Sequence, residues 1–173
     1  MKPVFVLLAC VPLLVSAKSL LGADQPCWDE LKSIEGVSRP GLFRPECDRL
    51  GRYMPQQCHG SACFCVDPSG AKLFADHENQ VDQYTTHIGS SALQSCRCAR
   101  QEFEHREGGR VGVSVSCDEK GDFHHTQCLG SGCYCVHPLT GEKLQGENLE
   151  GHIGGYAELE ARCQPAAAEA VAQ

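Results

Sequence analysis

A ten-residue stretch occurs twice in this chain. Gln57 to Val66 reads Gln-Cys-His-Gly-Ser-Ala-Cys-Phe-Cys-Val, and Gln127 to Val136 reads Gln-Cys-Leu-Gly-Ser-Gly-Cys-Tyr-Cys-Val. Three cysteines in register with Gln, Gly, Ser, an aromatic and Val, offset by 70 residues, mark a tandem repeat. Cysteines at 27, 47, 58, 63, 65 and 96 form one set, and those at 98, 117, 128, 133, 135 and 163 form the other. The gaps are 20, 11, 5, 2, 31 and 19, 11, 5, 2, 28, so only the outer loops differ in length. Gly51 with Gly121, Tyr53 with Phe123, Pro68 with Pro138 and Gly70 with Gly141 keep the register. His87-Ile88-Gly89 and His152-Ile153-Gly154 stand before each closing cysteine. The units are therefore residues 27–96 and 98–163.

The amino terminus indicates the compartment. Lys2 precedes an apolar run from Val4 to Val15, followed by the small residues Ser16 and Ala17. This is the pattern of a secretory signal peptide over 1–17, with a short leader over 18–26. About 12 apolar residues are too few to span roughly 30 Å of hydrocarbon. Losing this segment removes Cys10 from the 13 cysteines and leaves an even number on an oxidising route, which favours disulfides over metal ligands. The formal charge of −7, with no cluster of Lys and Arg, argues against nucleic acid and anionic membrane as partners. The Ala-rich tail, 164–173, reads as disordered, with a frayed helix as the alternative.

Each unit reads as one short helix and a two- or three-stranded antiparallel sheet, a small disulfide-rich α+β fold. Pro26 leads Trp28, Leu31 and Ile34 at a spacing of three, with Asp29 and Glu30 in the first turn. The second helix is expected over Ala99 to Glu107, anchored by Phe103. Gly51 to Met54, Gly121 to His124, Phe64 to Val66 and Tyr134 to Val136 read as strands, with turns at Asp67 to Gly70 and His137 to Gly141. A unit of about 70 residues has too little core to be comfortable alone, so cross-links replace the missing burial. Cys63 and Cys65 flank a single residue on an extended segment and do not face each other. The short Cys58–Cys63 loop suits a local bridge. Sequential pairing (Cys27–Cys47, Cys58–Cys63, Cys65–Cys96, Cys98–Cys117, Cys128–Cys133, Cys135–Cys163) is the simplest arrangement left.

Gln-Cys followed by Cys-aromatic-Cys-Val, with flanking cysteines at these distances, resembles the thyroglobulin type-1 domain. That family usually has Trp between the last two motif cysteines, where this chain has Phe64 and Tyr134. The family's disulfides are sequential. Two units joined through Cys96-Arg97-Cys98 are also similar in architecture to small two-domain proteins of spider venom. Free-standing proteins made of such units are often thyropins, reversible inhibitors of papain-like cysteine proteases. The resemblance implies a wedge whose loops enter the protease cleft, with a cathepsin-L-type enzyme as partner and a secreted monomer as the inhibitor. The edges would come from the loop between the first two cysteines and from the Gly-Ser turn. In the first unit these are Gly36 to Phe43, with Val37, Ser38, Arg39 and Pro40, and then Gly60, Ser61 and Ala62. In the second they are Gly108 to Val113, with Gly109, Arg110 and Val111, and then Gly130, Ser131 and Gly132.

Other readings compete with inhibition. The family also serves in growth-factor-binding and matrix proteins, so a non-inhibitory extracellular interaction module is the alternative, followed by a venom or salivary effector. An enzyme is not expected, because no Ser-His-Asp or free Cys-His arrangement can be assembled. No cofactor is expected either, since Gly108-Gly109 lies in no phosphate-binding pattern. No metal is expected: the cysteines are taken up in bridges, and His124 and His125 on a strand would face opposite sides. His87 and His152 read as local packing or hydrogen-bonding residues.

Overall fold

The computed structural model describes residues 24–76, 81–87, 94–109 and 114–172. The signal segment, Ile88-Gly89, Arg110 and Val111 lie outside them. Chain order is α1 (Pro26–Ser33), β1 (Gln56–His59), β2 (Ala62–Cys65), β3 (Phe74–Asp76), β4 (Val81–Gln83) and β5 (Thr85–His87), followed by α2 (Arg97–Glu107), β6 (Thr126–Leu129), β7 (Gly132–Cys135), β8 (Glu150–His152) and α3 (Tyr156–Ala172). Each unit holds a three-stranded antiparallel sheet, β1-β2-β5 and β6-β7-β8, and β3 pairs with β4 in the first unit. The disulfides join Cys27–Cys47, Cys58–Cys63 and Cys65–Cys96, then Cys98–Cys117, Cys128–Cys133 and Cys135–Cys163. The fold is small, disulfide-rich and α+β.

Pro26 sits in the first turn of α1, where its missing N–H costs nothing, and Asp29 favours the positive end of the helix dipole. The expected strands at Gly51–Met54 and Gly121–His124 do not form. Each is a tight turn ending in a single bridge, Cys47 to Tyr53 and Cys117 to Phe123. Asp48 Oδ1 accepts the Leu50 and Arg52 N–H groups, and Asp118 Oδ1 accepts those of Lys120 and Asp122. These bonds hold Gly51 and Gly121 at φ +78° and +81°, outside the β region. The second helix starts at Arg97, two residues earlier than expected, after Cys96 in a left-handed conformation.

The tail is not disordered. It continues α3 through Pro165 to Ala172 and buries Ala167. Alanine has the highest helix propensity, and Pro165 removes a single backbone bond from a helix already held by Cys163.

Sulfur supplies much of the interior. Cys27, Tyr53 and Val66 pack with Phe43 and Phe64, and their counterparts Cys98, Phe123 and Val136 pack with Val115 and Tyr134. The motif glutamines are buried beside these clusters. Gln57 Oε1 accepts the Glu46 N–H at 2.9 Å, while Nε2 donates to the carbonyls of Glu46 at 2.8 Å and Met54 at 3.0 Å. Gln127 repeats this with Ser116 and His124, at 2.9, 2.7 and 2.8 Å. Tyr53 donates to Glu30 on α1. Burial and the Glu30 carboxylate push its phenol up to about 12.

A further cluster crosses between the units: Cys65, Leu73 and Tyr84 from the first, Cys96 at the junction, and Ala99 with Phe103 from the second. Arg100 is buried here and donates to the Val66 carbonyl at 2.6 and 2.9 Å and to the Tyr53 carbonyl at 3.0 Å. Asp122 Oδ1 accepts the Ser95 N–H and hydroxyl, each at 2.7 Å, and the Cys96 N–H at 3.0 Å. A Cβ on Gly121 would stand 2.8 Å from Cys65 Sγ. The halves meet through packed, hydrogen-bonded surface rather than through a bare linker.

Candidate functional site

Each unit presents an exposed hairpin tip. Gly60-Ser61 joins β1 to β2, and Gly130-Ser131 joins β6 to β7. Gly60 and Gly130 stand at φ +61° and +60°. A glycine with positive φ at the first central position is what a II′ hairpin turn takes, matching the twist of the strands. A Cβ at either glycine would meet nothing within 4 Å. Gly60, Ser61, Gly130 and Ser131 are exposed, while Ala62 and Gly132 are half-buried where the second strands begin.

Each tip is backed by a covalent clip. Cys58 faces Cys63 in the ladder and Cys128 faces Cys133, and each pair is a disulfide. A third strand supports each hairpin, pairing Ala62 with His87 and Gly132 with His152. The Ile153 N–H donates to the Ser131 carbonyl at 3.0 Å. His152 itself is exposed, so in the second unit the His-Ile-Gly repeat contributes backbone pairing rather than the expected histidine packing.

In the first unit the two expected edges adjoin. His59, next to Gly60, places Nε2 3.1 Å from the Gly41 carbonyl, and its ring meets that of Phe43 edge-on at 5.6 Å. Val37 is half-buried, with its carbonyl accepting from Arg44 Nη2 at 3.1 Å, while Ser38, Arg39 and Pro40 are exposed. In the second unit Gly109 is exposed at φ +61°. Two residues that sequence reasoning missed are Leu129 and Ile153, 62% and 59% exposed beside the Gly130-Ser131 tip. Leu129 carried a signal, an apolar residue just before the Gly-Ser turn, whereas Ile153 comes beside it only through the pairing of β7 with β8. At the position of Leu129 the first unit has His59, so the second tip is the more apolar.

Phe64 and Tyr134, between the motif cysteines, are half-buried on their clusters with Lys72 and Lys143 over the rings at 4.8 and 5.3 Å. A hollow of about 290 Å³ flanks the first tip, lined by Phe43, His59, Phe64 and Lys72 among others. The expectation that His124 and His125 point apart is overturned. Both lie in the bend before β6 rather than on a strand, and their rings are 5.1 Å apart.

A family model described as the thyroglobulin type-1 repeat matches residues 25–84 and 92–152. Thyroglobulin of Sus scrofa is 31% identical over 142 residues, covering 75% of this chain and 5% of that protein. The H-2 class II histocompatibility antigen gamma chain of Rattus norvegicus is 51% identical over 49 residues, 27% of this chain and 17% of that one. Nidogen-1 of Homo sapiens is 58% identical over 36 residues, 20% of this chain and 3% of that one. The chain thus spans a small fraction of the length of these relatives. No described helix is long and apolar enough to cross a membrane.

Proposed function

Because the chain belongs to the thyroglobulin type-1 repeat family, we propose that it is a secreted, reversible inhibitor of papain-like cysteine proteases, with cathepsin-L-type enzymes as targets. The observation that carries this reading is the pair of exposed Gly-Ser tips, each clipped by a disulfide at the adjacent ladder position. An inhibitor must lose little conformational freedom on entering a cleft, or its contacts are spent on ordering its own loop. A II′ turn fixed by a ladder and a disulfide is already ordered. Leu129 and Ile153 offer apolar area to desolvate, and Ser38 to Pro40 lie on the loop that adjoins the first tip. The protein acts by occlusion and carries out no catalysis itself. Secretion rests on the amino-terminal signal pattern and on the disulfides, which persist in oxidising compartments.

Titration of the disulfide-bonded protein against papain and a cathepsin-L-like enzyme tests this. The expected outcome is competitive inhibition, reversed on dilution, with the inhibitor recovered uncleaved. If intact protein leaves both enzymes unaffected at micromolar concentration, the interaction-module reading takes its place. In the larger relatives the matched repeats are small parts of long chains.

A further inference from the structure

His124, His125 and Glu160 form a compact group on the second unit, apart from its tip. His125 Nε2 lies 2.6 Å from Glu160 Oε1, and His124 Nδ1 lies 3.6 Å from the same oxygen. One nitrogen from each ring and one carboxylate oxygen all fall within 4.8 Å of one another. His124 Nδ1 and Glu160 Oε2 are buried without a hydrogen-bond partner. Buried polar atoms are seldom left in that state without a reason. Burial and the charge of Glu160 raise the phenol of neighbouring Tyr156 above its ordinary value.

The fold does not require this cluster. In the first unit Met54 and Pro55 occupy the positions of His124 and His125. The backbone does the same work in both: Met54 N donates to Glu46 O and Val66 N to Pro55 O, as His124 N donates to Ser116 O and Val136 N to His125 O. A histidine pair where the sister unit manages with Met-Pro calls for a purpose of its own.

The geometry points to a zinc site in which one Zn²⁺ is held by His124 Nδ1, His125 Nε2 and a Glu160 oxygen. Zn–N bonds of about 2.0–2.1 Å and Zn–O bonds of about 2.0–2.2 Å put tetrahedral ligands roughly 3.4 Å apart. The observed separations bracket that value, so side-chain shifts of about 1 Å admit the ion. Two imidazoles with one carboxylate suit Zn²⁺ better than Ca²⁺ or Mg²⁺, which take oxygen ligands. Three protein ligands leave a fourth position for water, beside a groove of about 430 Å³ lined by Asp118, Phe123, Gln164 and Ala167 among others. Glu160 is on α3 and the histidines precede β6, so the ion ties the carboxy-terminal helix to the sheet.

Isothermal titration of untagged, disulfide-bonded protein with ZnCl₂ tests the proposal, with CaCl₂ and MgCl₂ run in parallel. One Zn²⁺ per chain is expected, with no heat from the other two salts and a Tm that rises with zinc concentration. Glu160→Gln, close to isosteric, weakens binding by more than about 100-fold, since loss of an outer-sphere partner alone costs 10- to 100-fold. His59→Gln in the first unit leaves binding unchanged. Histidine ring NMR of the wild-type protein gives a readout independent of any variant's folding: the signals of His124 and His125 move, and those of the other six stay. No zinc uptake, uptake that survives Glu160→Gln, or shifts confined to other histidines would each overturn the site.

Discussion

Gln57 and Gln127 add side-chain hydrogen bonds to the backbone that passes beside them. Each side chain acts as a short strand, accepting one N–H and donating to two carbonyls of the chain that passes it. The repeat made these residues visible, but their role was not legible, because a glutamine beside a cysteine on a short strand reads equally well as solvent-facing. Gln127→Ala leaves the Ser116 N–H and the His124 carbonyl without this partner in a partly buried site, while the Ser116 carbonyl keeps the His124 N–H. A cost of about 1–2 kcal/mol follows from the penalty for unmade hydrogen bonds. Chemical denaturation at intact disulfides checks it, and a loss below about 0.5 kcal/mol would mean that water replaces the amide. The histidine pair was misjudged for a related reason. Alternation holds only on a strand, and the Asp118-centred turn keeps Gly121–His124 off the ladder.

At the scale of elements, cysteine spacing was the most informative signal. The two-residue separation of Cys63 and Cys65 placed them on one extended strand, and the Gly-Ser turn between Cys58 and Cys63 placed the hairpin tip. Both follow from short-range geometry that one sequence contains. The third strands, β5 and β8, were not legible, because Thr85–His87 and Glu150–His152 have no apolar alternation and are recruited only once β2 and β7 exist. The tail was misread through composition. Its alanines lack the bulk that advertises a buried face, yet Ala167 packs because a small side chain fits there. The tips were legible as turns, whereas the exposed Leu129 and Ile153 beside them become a surface only after β8 returns to the Ser131 carbonyl.

On the scale of the molecule, the contact between units was invisible in the sequence, since a repeat offset says nothing about how the copies meet. Asp122 shows what the contact demands. Burial holds its carboxyl above the ordinary 3.8, while hydrogen bonds from Ser95 and Cys96 pull the other way. Ionising it therefore costs folding stability at neutral pH. That loss is recovered as pH falls through the raised folded pKa toward 3.8. Asp122→Ala, which strands the Ser95 N–H, the Ser95 hydroxyl and the Cys96 N–H, should lose about 3 kcal/mol. Asp122→Asn keeps the acceptor without the charge and should lose less than half of that. The wild-type protein should gain on Asp122→Asn as the pH is lowered toward 4, and thermal melts of the three proteins across pH 4 to 7 check both statements. Equal losses for Ala and Asn would remove Asp122 from the account. The packed contact also sets two stiff tips on one body, and their action on a protease is the claim on which the functional account rests. Papain inhibition by the wild-type protein, by Ser61→Trp, by Ser131→Trp and by the double variant tests it most directly, since both serines are exposed and neither is held at positive φ. The account predicts that at least one single variant weakens inhibition at least tenfold and that the double variant loses it, with thermal stability unchanged. Undiminished inhibition by the double variant would contradict it.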